Sequence, residues 1–346
     1  MKDSILAALI VILFWAALPF LCTGVVGGPP QGESAAPAAD ARPTDPQATD
    51  TPDEAWDSNA PASNPAAPEP EAADGFDARF RLPVLRGSEI ESMDLHTYLT
   101  GVLLAEMPSS FEDEAKKAQA VASRTYCLRS YLHRRHDGAA VCVNSGCCQG
   151  WRDPSAAAPE DRARAEAAVT ATDGLVIRYQ GALIDATFFS CSGGQTESAA
   201  AVWGSDLPYL QAVESPGEEG ATHFSDETRI PLDDFRAALA EQDGAVSFPE
   251  ALGGWVGAVT YTPGGGVDRM ELGGRPFSGT WLRKRFGLRS TVFTLELTAE
   301  EAVFTTKGYG HRVGMSQYGA DAMARAGNRF TEILKWYYQG VTVEAY

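Results

Sequence analysis

Glu106 stands at the end of an apolar stretch, in Ala105-Glu106-Met107-Pro108. If that stretch is a helix, its negative pole and apolar neighbours both favour a protonated carboxyl, which is what a general acid at neutral pH requires, although an ordinary solvated glutamate fits the same position. A second group follows, in which Lys117 and Arg124 share one helical stripe and Tyr126 lies close by. Two cations on one face can hold a carboxylate or steady an oxyanion, although a merely solvated helix face uses the same residues. In the third group, His136, Cys142 and Cys148 have spacing that suits tetrahedral zinc, with three protein ligands and a fourth position open to water or substrate. His133 and Cys147 lie beside them, and in an exported domain a disulfide from Cys147 to Cys127 or Cys191 competes with the metal. The fourth group is the run Gly308 to Ala320, where closely spaced glycines let a loop approach a ligand and expose His311. Ser316 or Gln317 then opens a helix, so His311, Ser316 and Gln317 are candidate binding residues. Ser190-Cys191-Ser192-Gly193-Gly194 forms another loop of small residues directly after a strand. No order of Ser, His and Asp points to a serine hydrolase.

These groups need elements to hold them. A strand is expected at Arg79–Leu85, and Asp94 is placed to cap a helix carrying Leu95, Leu99, Val102 and Leu103 at helical spacing. Pro108 ends it, because the residue before a proline is pushed out of the helical region. Glu112–His133 reads as a helix opened by acids, followed by a helix at Pro159–Thr172 and strands at Leu175–Tyr179 and Leu183–Ser190 around a Gln180-Gly181 turn. Later come a helix at Leu232–Glu241, strands near Val256–Tyr261, Arg269–Leu272, Val292–Leu297 and Val303–Thr306, and helices at Ser316–Ala326 and Phe330–Tyr338. This order gives an α+β fold of mixed helices and antiparallel strands, not a repeated βαβ wind. Gly264-Gly265-Gly266 and Gly273-Gly274 lack phosphate-loop spacing and read as hairpin turns.

The composition of the 346 residues is uneven. Twenty-eight basic residues against 46 acidic ones give a net charge of −18, which argues against a nucleic-acid partner. Six cysteines are too few for a disulfide scaffold. Ile5 to Val26 is uncharged and almost wholly apolar, and about 22 residues at 1.5 Å rise can cross a ~30 Å hydrocarbon core. Residues 1–26 are therefore expected to be a retained membrane anchor, with a cleaved signal peptide as the competing reading. Residues 27–75 hold ten acids, one arginine and about half of the prolines, and are expected to form a disordered acidic tether. Together they predict a single-pass membrane protein whose folded domain, residues 76–346, is held outside the cytoplasm.

The blocks Tyr98–Val102 through Glu106-Met107-Pro108, Glu114–Tyr126, Phe189–Gly194, Val202-Trp203 with Pro208-Tyr209-Leu210, and the glycine–histidine loop through Ile333-Leu334 and Tyr337-Tyr338 run in one order over residues 79–346. In that order they resemble the stage II sporulation protein D family, the SpoIID/LytB domain. The resemblance implies a lytic transglycosylase that cuts stem-peptide-free peptidoglycan glycan strands during engulfment in sporulation. It implies partnership with a cell-wall amidase and a membrane protein of the engulfment machinery. It places the catalytic glutamate at Glu106 and supporting residues in the blocks holding Lys117, Arg124, Tyr126 and His311, with Lys117 or Arg124 on the muramic lactyl carboxylate. Some members of the family bind zinc through one histidine and two cysteines, which would here be His136, Cys142 and Cys148, although the proposed chemistry needs no metal. Arg312 stands where the family usually has glycine. Two other readings compete: a non-catalytic glycan-binding module that recruits or stimulates an amidase, and a zinc hydrolase.

Overall fold

The computed structural model describes residues 75–133 and 135–346. The expected anchor, and the tether up to its last residue, lie outside the described residues. Among the described residues no helix is long and apolar enough to cross a membrane.

The elements begin with α1 (Phe76–Arg79), the hairpin β1 (Arg81–Arg86) and β2 (Glu89–Asp94), α2 (Leu95–Glu106) and α3 (Asp113–His133). β3 (Val141–Cys142), α4 (Pro159–Thr170), β4 (Leu175–Tyr179), β5 (Ala182–Leu183), β6 (Phe188–Phe189) and α5 (Ala199–Trp203) follow. A lobe is then built from β7 (Ser225–Pro231), α6 (Leu232–Gln242), β8 (Val256–Tyr261), β9 (Val267–Leu272), β10 (Arg275–Ser278), α7 (Gly279–Phe286), β11 (Val292–Leu297) and β12 (Glu301–Lys307). The chain closes with β13 (Met315–Ser316), α8 (Gln317–Arg325), α9 (Phe330–Tyr337) and β14 (Thr342–Ala345). The fold is α+β, as expected, but its strands are not all antiparallel: two of the pairings are parallel.

α2 forms for the reasons its sequence states. Asp94 Oδ1 accepts from the Thr97 N–H at 2.8 Å, and Met107 leaves the helix in an extended conformation before Pro108. α3 is the spine of the molecule. Its Ala115, Ala118, Val121 and Ala122 belong to one core, with Ile177, Met315, Leu334 and Tyr337, while Ala120, Cys127 and Leu128 belong to a second, with Leu82, Leu99 and Val102. Alanines allow elements to pack closely on both sides of one helix. A third core, around Phe235, Leu272, Phe286 and Phe304, fills the 225–307 lobe.

The sheets are small. Two parallel pairings matter for the site: β3 against β1, which sets Cys142 opposite Leu85, and β13 against β6, which sets Ser316 opposite Phe189. The expected strand at Leu183–Ser190 is broken into β5 and β6, because β5 pairs with β4 whereas β6 pairs with β13. The expected strand at Arg79–Leu85 starts later, since Phe76–Arg79 forms a helical turn. Both glycine runs are hairpin turns, between β8 and β9 and between β9 and β10.

Candidate functional site

Glu106 is the last residue of α2 and is half-buried. Its Oε1 accepts the Gly150 N–H at 2.6 Å, and its Oε2 faces Gln317 Nε2 at 3.4 Å. One oxygen is thus firmly held and the other only loosely. The Gly150 amide can come so close because α2 carries Gly101, where a Cβ would lie 2.2 Å from Trp151 Nε1. The Arg152 N–H bonds to the Gly101 carbonyl at 3.0 Å and fastens that segment to the helix.

Two cavities meet at Glu106, of about 490 and 650 Å³, and Ser190, Tyr309 and Gln317 line both. Each is within the usual range for a ligand site. The smaller lobe adds Lys116, Arg152, Asp161 and His223, and the larger adds Tyr126, Arg135, Asp185, Trp203 and His311. The result is an open groove with a carboxyl group at its middle.

His311 is wedged between Phe189 and Trp203, with ring centroids 5.7 and 5.2 Å away. Its Nδ1 accepts from the Val313 N–H at 3.1 Å, which leaves the proton on Nε2. Burial, with help from the Arg283 cation, pushes its pKa down to about 4, so at neutral pH it is an uncharged donor. Arg312 has φ +67, in the left-handed region that favours the glycine the resemblance expects there. Its side chain turns inward to the carbonyls of Ser192 (2.9 Å), Gln195 (2.6 Å) and Gly264 (2.5 Å), and burial lowers its pKa to about 10. Arg312 therefore does not crowd the groove.

Of the residues expected at the site, the fold brings together Glu106, Tyr126, His311 and Gln317. Arg124 is a correction. It is fully buried, with Nε 2.8 and 3.0 Å from the two carboxylate oxygens of Asp77 and Nη2 2.5 Å from Oδ2, and its remaining donors go to Leu175, Val169 and Thr172. A cation sealed in this way cannot reach a glycan. Lys117 is spent on Glu114 at 2.6 Å and lines neither lobe. Ser316 is buried, and its hydroxyl caps α8 by accepting from the Gly319 N–H at 3.2 Å. Sequence reasoning missed the Gly150 amide and the groove-facing Arg135 and Arg152. Ser190, Trp203 and Tyr309 stood inside recognised blocks without being given a role.

Beside the larger lobe, the donor atoms of His136, Cys142, Cys147 and Cys148 lie within 4.8 Å of one another. His136 Nε2 is 3.1 Å from Cys148 Sγ and 3.9 Å from Cys147 Sγ. Neither disulfide considered for Cys147 is formed: Cys127 is free and accepts from Gln149 Nε2 at 3.2 Å, and Cys191 is free and donates to Glu218 at 3.2 Å. One imidazole and three sulfurs are the donor chemistry of zinc. The residues fit that ion.

A family model described as stage II sporulation protein (SpoIID) matches residues 86–179. Stage II sporulation protein D of Bacillus amyloliquefaciens is 35% identical over 276 residues, covering 76% of this chain and 78% of the relative. Its counterpart in Bacillus subtilis (strain 168) is 32% identical over the same shares. The amidase enhancer of Bacillus subtilis is 29% identical over 72% of this chain, but the match spans only 40% of that relative. On identity of this level across most of both chains, the protein belongs to the stage II sporulation protein D family.

Proposed function

We propose that this protein is a peptidoglycan lytic transglycosylase that cleaves glycan strands between N-acetylmuramic acid and N-acetylglucosamine, outside the cytoplasmic membrane, during sporulation engulfment. The observation that carries the reading is Glu106, the one carboxylate that lines both lobes of the groove. A strand lying along the groove brings a glycosidic bond to it.

Glu106 acts first as acid. With Oε1 held by Gly150, Oε2 carries the proton and delivers it to the bridging oxygen as the C1–O bond breaks. The C6 hydroxyl of the same muramic residue then attacks C1, and its proton returns to Glu106. The products are a 1,6-anhydro-muramic end and a free 4-hydroxyl; no water is consumed and the glutamic acid is regenerated. Hydrolytic glycosidases use a second carboxylate to activate water or to form a glycosyl intermediate. Intramolecular attack supplies the effective concentration that makes one carboxyl group sufficient. His311, donating from Nε2, and Trp203, offering an apolar ring, hold a sugar in the larger lobe. Arg135 and Arg152, one in each lobe, have no ion pair among the described residues and are offered to lactyl carboxylates, which a strand without stem peptides leaves free.

A second reading has its own support. One relative is named an amidase enhancer, which fits a non-catalytic groove that binds glycan and stimulates an amidase. Product analysis separates the readings. On denuded glycan the protein should release anhydro-muramic ends, seen by mass spectrometry, and Glu106→Gln should abolish them with the fold retained. Glycan binding and amidase stimulation without any such product would leave the binding module. Reducing ends would instead point to hydrolysis, with Asp185 or Asp161 as the second carboxylate.

A further inference from the structure

We propose that Cys147 is a fourth protein ligand, so that His136, Cys142, Cys147 and Cys148 form a closed zinc site that holds the Gly150 amide against Glu106. The donor count is independent of the catalytic reading; the consequence for Glu106 rests on it.

Spacing alone pointed to three ligands and an open position. The fold brings the Cys147 sulfur within 4.8 Å of each of the other three donor atoms. The turn at Asn144 does this: its carbonyl accepts the N–H groups of Cys147 at 3.0 Å and Cys148 at 2.8 Å, and its Oδ1 accepts that of Gly146 at 2.8 Å. Arg135 Nη2 then bonds to the Cys147 carbonyl at 2.9 Å. The other two ligands stand on firmer ground, since Cys142 is in β3, with Tyr98 donating to its carbonyl at 3.3 Å, and His136 bonds back to Ala139 at 3.1 Å. An ion held by all four would tie the turn to the sheet. Four protein donors also fill a tetrahedral shell, and this assigns the metal a structural task instead of water activation.

What the turn carries gives that task its use. The residues after the paired cysteines are Gln149, which reaches the buried Cys127 sulfur at 3.2 Å, and Gly150, whose amide bonds to Glu106 at 2.6 Å. The ligands are thus two residues from the group that fixes the carboxyl oxygen.

The test uses the chain loaded with cobalt(II) in place of zinc. Thiolate-to-cobalt charge-transfer absorption scales with the number of thiolates, so Cys147→Ser should lower it by about a third, from three sulfurs to two. Zinc affinity should fall on the order of a hundredfold, the share of one ligand in four. Cys147→Asp, which returns an oxygen donor, should recover affinity but not the lost absorption. An unchanged charge-transfer band in both variants would overturn the fourth ligand. Hydrogen exchange of residues 144–152 should rise at least about tenfold on chelation while the middle of α3 stays protected; equal exchange with and without metal would overturn the positioning role. Glu106→Gln should leave the cobalt spectrum intact, so failure of the catalytic reading and failure of the metal proposal are told apart.

Discussion

Replacing Arg124 decides whether that residue serves the groove or the core. Its guanidinium and the Asp77 carboxylate are both inaccessible to solvent, and three N–H···O contacts of 2.5–3.0 Å join them. Arg124→Met removes the cation and leaves a carboxylate in the interior without a counter-charge. Breaking a buried pair from one side costs about 3–5 kcal/mol, which for a domain of this size lowers Tm by roughly 6–15 °C. Burial already raises the pKa of Asp77 against the opposing pull of Arg124, and loss of Arg124 raises it further. A folded-state carboxyl with a raised pKa contributes stability at acid pH and loses it as pH rises through the folded value. The deficit of the variant should therefore be largest at neutral pH and shrink toward acid pH, where Asp77 is protonated. Removing both charges, as Asp77→Leu with Arg124→Met, should recover much of the loss, because a buried ion pair is often replaceable by apolar groups of similar size. Urea unfolding followed by circular dichroism gives the stabilities, and binding of denuded glycan is measured on the same samples. A wild-type midpoint combined with weakened glycan binding in Arg124→Met would refute the reasoning and return Arg124 to the binding face.

Gly150→Ala places a methyl group 2.8 Å from Glu106 Oε1 and 3.5 Å from Ala105 Cβ, so the amide and the carboxyl must part. The release of anhydro ends should fall by roughly tenfold or more, with an unfolding midpoint close to wild type. His311 is held neutral with a pKa of about 4, whereas the unfolded chain protonates it near 6.5. Between those values the unfolded state binds more protons, so stability is lost as pH falls from about 6.5 to about 4, by at most about 3 kcal/mol. His311→Gln should flatten that slope in urea midpoints measured across the window.

The sequence was most legible where the signals are local. The Asp94 cap, the apolar spacing of α2 and the break at Pro108 lie within fifteen residues, and they fix where Glu106 stands. The same spacing argument put Lys117 and Arg124 on one stripe of α3 but could not say what faces that stripe. The partner of Arg124 is Asp77, 47 positions earlier, and a helix buried on nearly all sides gives no polar face to orient it. β2 and β7 were missed because Glu89–Asp94 and Ser225–Pro231 are mostly polar and exposed, so their alternation carries little apolar signal. Gly150 acts through its backbone amide, which has no side-chain signature, and Cys147 depends on a turn that its spacing does not encode.

A polar network stands behind the loop that faces Glu106 across the groove. Glu218 is buried, and its Oε2 collects the N–H groups of Ser192 (2.7 Å) and Gly193 (3.0 Å) and the Ser192 hydroxyl (2.8 Å). Its Oε1 takes the Ser215 hydroxyl at 2.5 Å, and Ser215 is joined to Tyr337 at 2.6 Å. Arg312 holds the same loop from the other side, through the Ser192 and Gln195 carbonyls. These contacts fix the Ser190–Gly194 loop, and the Ser190 carbonyl then receives the Tyr318 N–H at 3.0 Å at the start of α8, beside Gln317. Gln317 reaches Glu106 from there. A buried network of this kind carries a cost where a member lacks a partner, as Arg312 Nη1 does, and in return it allows few alternative arrangements. The left-handed arginine and the buried glutamate thus act behind the groove-lining residues, because they hold the loop against which α8 starts and from which Gln317 reaches the oxygen opposite Gly150.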